Sequence, residues 1–153
     1  MMRNILIIGG TKGIGKAIVD LLVNENNVIC MSRNSTEFSH NNYSHITFDS
    51  IDDEFPDFEK VDTLIYCPGS INLKPISSLS VEDFRKDFEI NVIGAVKAIK
   101  KYIPLLKKGL NPSILLFSTV ATKLGMLLSC IRLLLRNPQI DGIVKTLRSQ
   151  KLA

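Results

Sequence analysis

Cysteine is scarce in this chain of 153 residues, and the three present, Cys30, Cys67 and Cys130, stand singly and far apart. An odd number without paired spacing excludes a disulfide framework and a thiolate metal site. It fits a reducing compartment, so a cytoplasmic location is expected. No apolar run reaches the roughly 20 residues that a membrane-spanning helix needs, so stable membrane insertion is not expected. Met1, Met2 and Arg3 lead straight into an apolar stretch, which leaves no room for a secretory leader. Internal repeats and low-complexity segments are absent as well. Tyrosine occurs three times and never after Tyr102.

What is present reads as one globular domain. The 45% hydrophobic and 22% charged content supports a real core, and 153 residues are too few for two ordinary domains. Residues 5–15 organise the rest. Ile5, Leu6, Ile7 and Ile8 form a strand suited to burial on both faces, and Gly9, Gly13 and Gly15 then break it in a G-x-x-x-G-x-G spacing. Ala17, Ile18, Leu21 and Leu22 follow at helical intervals. Strand, glycine turn and helix in this order let the backbone approach a pyrophosphate while helix-terminal N–H groups bind the anion. Gly9, Thr11, Lys12, Gly13, Ile14 and Gly15 are therefore expected to contact a dinucleotide. The alternative is an ordinary tight strand-to-helix turn.

The ends of the later strands extend this expectation. Residues 28–31 read as a second strand ending at Ser32, Arg33 and Asn34. A carboxylate at that place would bond a ribose 2′-hydroxyl, whereas an Arg accommodates a 2′-phosphate. Arg33, with Lys12 as a second cation, points to NADP(H) rather than NAD(H), unless both are solvated surface charges. Residues 35–44 read as a loop, 46–48 as a third strand leading to Asp49 at the adenine edge, and 52–60 as a compact crossover. A fourth strand over 61–67 stops at Pro68 and Gly69, where Cys67 and Gly69 are expected to lie against the ligand; Cys67 itself reads as a buried filler rather than a reactive thiol. Ser80 caps a long helix with a carboxylate at Asp83. That helix runs to about Leu106 and carries an apolar stripe of Val92, Ile93, Val96, Ile99 and Ile103. Residues 113–119 form a fifth strand ending in hydroxyls. Alternating strands and helices predict an α/β fold with a parallel sheet. The net charge of +4 is accounted for by a mildly basic nucleotide-binding domain, without a nucleic acid partner.

Over residues 4–125 these features together resemble the short-chain dehydrogenases and reductases. The glycine spacing corresponds to that family's cofactor loop, with Ile8 where Thr is usual. Asp49 matches its adenine-contacting Asp, and Cys67, Pro68 and Gly69 stand where Asn-Ala-Gly is typical. Asn91 fits the helix asparagine that helps to hold a proton-relay water. Ser118 and Thr119 fit the strand-end motif, with Thr119 aligned to the catalytic hydroxyl. The resemblance implies a Rossmann-like doubly wound parallel sheet and hydride transfer between a nicotinamide and a small carbonyl or alcohol substrate. It also implies a Tyr-x-x-x-Lys pair, which this sequence lacks, since Tyr43, Tyr66 and Tyr102 lie in other elements with no Lys four residues on.

The resemblance divides the chain into a dinucleotide-binding portion, 1–125, and a divergent basic helical tail, 126–153, belonging to the same domain. Residues 126–136 are leucine-rich and basic, whereas 140–147 again resemble the family. A shifted reading frame over 126–139 is one explanation; an in-frame amphipathic helix packed on the sheet or a partner is the other. The sheet is expected to be incomplete on its C-terminal side, leaving an edge that self-association into a homo-oligomer would cover. Three readings follow: an NADP-dependent reductase with its catalysis lost or weakened, a non-catalytic NADP-binding module, and a truncated or frameshifted product.

Overall fold

The computed structural model describes residues 2–70, 72, 75–109 and 111–118. Five strands, β1 (Asn4–Ile8), β2 (Asn27–Ser32), β3 (Tyr43–Thr47), β4 (Thr63–Tyr66) and β5 (Ser113–Leu116), form one sheet in the order β3-β2-β1-β4-β5. Every pairing is parallel, with Ile5 opposite Val28 on one side and Thr63 on the other. The chain moves outward from β1 through β2 to β3, then returns to place β4 on the other flank of β1. The topological switch therefore lies between β1 and β4, where open parallel sheets hold their ligands.

Alternation along β1 assigns its two faces. Ile5 and Ile7 point to helix α1 (Gly13–Leu22), packing with Val19, Val23, Val28 and Ile65. Leu6 and Ile8 point the other way, into a cluster with Met31, Leu64, Tyr66, Ala98, Ile99, Tyr102 and Leu106. Burial on both faces, expected from the apolar run, is what the sheet shows. No helix joins β2 to β3, again as expected; instead Phe38 of the connecting loop stands edge-on to Tyr43 and lies under the Lys16 ammonium, covering the flank of α1. The third strand begins three residues earlier than the apolar residues Ile46 and Phe48 announce, because it is an edge strand whose pairing to β2 starts at Tyr43.

The second covering layer is a helical run from Val81 to Leu106 in three parts: α2 (Val81–Phe88), a π-helical turn (Glu89–Ile93) and α3 (Gly94–Leu106). Its start is the capping box read from the sequence. Ser80 Oγ accepts from the Asp83 N–H at 3.1 Å while the Asp83 carboxylate accepts from the Ser80 N–H at 3.0 Å. The π-turn is a departure from expectation. Gly94 N–H donates to Glu89 O, five residues back, and the Ile90 carbonyl accepts from the Tyr66 hydroxyl at 2.7 Å. Tyr66 thus inserts where α3 passes over β4, a recognised cause of widened turns. The buried face also differs from the apolar stripe: Val92, Ala95, Ala98, Ile99, Tyr102 and Leu106 are buried, whereas Ile93, Val96 and Ile103 are only half-buried. Small residues let α3 approach the sheet closely, so packing distance rather than hydrophobicity selects the face. Among the described residues no helix is long and apolar enough to cross a membrane.

Gly94 sits at this closest approach, and a Cβ built there would overlap the Tyr66 hydroxyl. Gly94→Ala is expected to lower the unfolding free energy by roughly 2 kcal/mol through overpacking, although Ala is the better helix former. Tyr66→Phe removes the clashing oxygen and should recover part of that loss in the double variant. Urea denaturation of the four proteins measures both terms; a Gly94→Ala protein more stable than the parent would contradict the contact.

Candidate functional site

Three backbone hydrogen bonds carry the sheet ladder just past the strand ends. Gly9 N–H donates to Met31 O at 2.7 Å, Cys67 N–H to Ile8 O at 2.9 Å, and Phe48 N–H to Ser32 O at 3.1 Å. The C-terminal ends of β1 to β4 consequently converge, and above them opens a cleft of about 480 Å³. Such a volume is within the usual range for a small-molecule or cofactor site. Four segments wall it: Gly9, Thr11 and Lys12 after β1; Ser32, Arg33 and Asn34 after β2; Phe48 to Ile51 after β3; and Cys67 to Ser70 after β4. Lys86 and Ile90, one helical turn apart, close the side formed by α2 and the π-turn.

The glycines shape this cleft by close approach. Gly9 has φ +80°, and a Cβ on it would come within 3.1 Å of the Pro68 nitrogen. Gly15 packs the first turn of α1 onto the backbone of Gly9 so tightly that a Cβ would overlap Gly9 O. Gly13, at φ +54°, faces open space. The N-terminus of α1 has no side-chain cap at Lys12 and no acidic residue in its first turn, so its leading N–H groups and the helix dipole stay open to an anion. A Cβ-free cradle beneath an uncapped helix terminus fits the pyrophosphate of a dinucleotide.

Of the residues singled out from sequence, Gly9, Thr11, Lys12, Arg33, Asp49, Cys67 and Gly69 line the cleft. Gly13 and Gly15 act beside it through backbone geometry, and Ile14 is 64% exposed, its side chain directed away from the core. Lys12, Arg33 and Lys86 form no ion pair among the described residues, which leaves three cations facing the space that also holds the Asp49 carboxylate. That carboxylate accepts from the Ile51 N–H at 2.9 Å and so fixes the turn after β3. Ser32 Oγ donates to Asn34 O at 2.9 Å and lies 2.9 Å from His45 Nε2, holding the turn that carries Arg33. Asn91, within the π-turn, spans one residue of the opposite wall. Its Oδ1 accepts from the Ser70 N–H at 2.9 Å and its Nδ2 donates to the Ser70 carbonyl at 3.0 Å. Ser118 is exposed just beyond β5; Thr119 and the tail 126–153 lie outside the described residues.

Sequence reading missed Ser70, Lys86, Asp87 and Ile90. The available signal was the i, i+4 spacing of Lys86 with Ile90 and of Asp87 with Asn91, which places two polar groups on a face that packs inward. Tyr66 and Tyr102 are committed to the core, whereas Tyr43 on the edge strand is half-buried with its hydroxyl enclosed. Tyr66 donates to Ile90 O, and burial, with the Asp49 and Glu89 charges adding, pushes its phenol up to about 12. Tyr102 donates to Pro56 O at 2.9 Å. Burial raises the phenols of Tyr43 and Tyr102 well above their ordinary value. Burial likewise pushes the Cys67 thiol up to about 11. Among the described residues no group of three or more His, Cys, Asp or Glu is placed to hold a metal.

A model of the family described as short chain dehydrogenase matches residues 45–131, more than half of the chain. An uncharacterized oxidoreductase of Schizosaccharomyces pombe is 28% identical, with 78% of this chain and 54% of that protein covered. The chain spans about half the length of the curated relatives it matches. Among solved structures, aldohexose dehydrogenase of Thermoplasma acidophilum superposes with a TM-score of 0.83 at 24% identity, covering 99% of this chain and 63% of that one. A short chain dehydrogenase family protein of Francisella tularensis gives 0.79 at 25%, covering 96% and 63%.

The raised thiol makes Cys67 a slow nucleophile. In the folded protein its alkylation by iodoacetamide is expected to be slow at neutral pH and to keep rising until about pH 11. The same peptide in urea should level off near pH 9, the ordinary thiol range. Peptide mass spectrometry of timed alkylation reads both curves, and rapid labelling of folded Cys67 at pH 7 would refute the burial argument.

Proposed function

The chain belongs to the short chain dehydrogenase family, and from that premise we propose that its cleft binds a nicotinamide dinucleotide, NADP(H) in preference to NAD(H), for oxidoreduction of a small carbonyl or alcohol. The observation that carries this reading is the cleft itself: an uncapped helix N-terminus over Gly9, at the switch between β1 and β4, with Arg33 rather than a carboxylate after β2. The α1 amides hold the pyrophosphate. Arg33 and Lys12 hold the 2′-phosphate, Arg33 by its planar fork and Lys12 as a point charge. Asp49 meets the adenine edge, and the wall of Cys67 and Gly69 lies against the nucleotide. The bound dinucleotide supplies or takes the hydride. Asn91 keeps the wall in place through Ser70, and the Ser118 and Thr119 hydroxyls orient the substrate oxygen.

A second reading is a non-catalytic NADP-binding module. It is favoured by the placement of Tyr43, Tyr66 and Tyr102, whose buried, raised phenols leave none of them to serve as the general acid–base near neutral pH. Carbonyl-dependent oxidation of NADPH separates the two: turnover supports the enzyme, and binding without turnover across a carbonyl panel supports the module.

Calorimetry with the purified chain should show tighter binding of NADPH than of NADH. Arg33→Asp is expected to weaken NADPH by roughly tenfold, the loss of a charge-assisted contact, with NADH held or improved. An unchanged ratio of the two affinities would remove Arg33 from the phosphate site.

A further inference from the structure

Asp87 is a carboxylate only 5% exposed, and among the described residues no Lys or Arg pairs with it. Both of its oxygens are taken by the loop that follows β4. Ser70 Oγ donates to Oδ1 at 2.6 Å, and Asn72 Nδ2 donates to Oδ2 at 3.1 Å. An isolated charge this deep would be strongly disfavoured, so these two donors are what make its burial tolerable. The dependence runs both ways. If the loop lifts, the carboxylate is stranded without partners until water reaches it. The docked loop and the buried charge therefore form one cooperative unit.

The loop is held from three directions. Pro68 packs against Gly9 of the cradle, Asn91 takes the N–H and the carbonyl of Ser70, and Asp87 takes the hydroxyl of the same residue. With Asn72, Asp87 extends the anchoring beyond the reach of Asn91. Gly69 and Ser70 line the cleft, whereas Asp87 and Asn72 do not.

We infer that Asp87 is a positioning residue that latches this loop as a preformed wall of the cleft, so that a dinucleotide binds without having to order it. The inference rests on the dinucleotide reading of the cleft given above. Preorganisation contributes affinity by removing an ordering cost from the binding step.

The test uses the full chain, with NADPH affinity read by calorimetry and loop order by amide hydrogen exchange. Asp87→Ala is expected to weaken NADPH by about tenfold and to speed exchange at Ser70 and Asn72, with the amides of β1 and β4 unchanged. Asp87→Asn keeps an acceptor for the Ser70 hydroxyl and, once the Asn72 amide turns over to present its oxygen, a donor for Asn72, so it should restore affinity to within about twofold of the parent, a rescue that loss of general stability would not give. Equal affinity in the parent and Asp87→Ala overturns the latch and leaves the cofactor reading standing. An Asp87→Asn protein as weak as Asp87→Ala overturns it too. Failure of the parent to bind either NADPH or NADH overturns the cofactor reading and takes the latch's role in binding with it. Should Asp87→Ala not fold, Asn72→Ala replaces it, with about threefold weakening expected and unchanged affinity counting against the latch.

Discussion

β1 is hydrogen-bonded along both edges and buried on both faces, and the rest of the molecule takes its position from it. Parallel pairing with β2 and β4 fixes the register of the sheet centre, from Ile5 opposite both Val28 and Thr63 to Ile8 opposite both Met31 and Tyr66. Its alternating side chains divide the core into the α1 layer and the α3 layer. Because the strand is locked on all four sides, the chain that leaves it at Gly9 has one direction to go. The glycines allow the sharp exit and the seating of α1 directly on Gly9, so a helix terminus ends up beside a strand end with nothing capping it. An open helix terminus follows from packing before any ligand is considered.

The opposite layer shows how a compromise in packing presents function. Tyr66 needs room under the helix, which Gly94 and the π-turn supply together. The same turn carries Asn91 and, just ahead of it, α2 carries Asp87 to the loop after β4 and Lys86 to the cleft. Widened turns persist where neighbouring structure over-determines them, and here the Tyr66 hydroxyl, the Ser70 backbone and the docked Gly94 do so. The wall of the cleft is in this way tied to the core of the sheet rather than left as a free loop.

Features of short range were legible in the sequence. The buried run at Ile5, the glycine turn and the Ser80 and Asp83 capping box each depend on neighbours within a few residues and stand where they were read, whereas the fourth strand, read over 61–67 up to Pro68, spans only Thr63–Tyr66. Long-range geometry was not legible. The helical face could not be chosen from hydrophobicity, because Ala95 and Ala98 are buried for closeness and Tyr102 for the partner its hydroxyl finds in Pro56. The early start of β3 is set by its pairing to β2, not by its own apolar residues. No short-range signal marks the partners of Asp87, because Ser70 and Asn72 come from the loop after β4. Candidate binding residues were easier to find than their supports, since chemistry demands particular residue types at the ligand and leaves the supporting partners free to vary.

Binding and catalysis make unequal demands on this chain. A dinucleotide cleft needs the exits of β1 to β4 and the helices that cover them, and these form one hydrogen-bonded unit with its own two-sided core. Proton transfer needs a group that ionises near neutral pH beside the reacting atoms. Tyr66 and Tyr102 donate to carbonyls of the core, half-buried Tyr43 has its hydroxyl enclosed beside Cys30, and burial raises all three phenols. Releasing Tyr66 or Tyr102 would take away packing on which the sheet and its covering helix rely. The architecture consequently commits Tyr66 and Tyr102 to the core that joins the sheet to its covering helix.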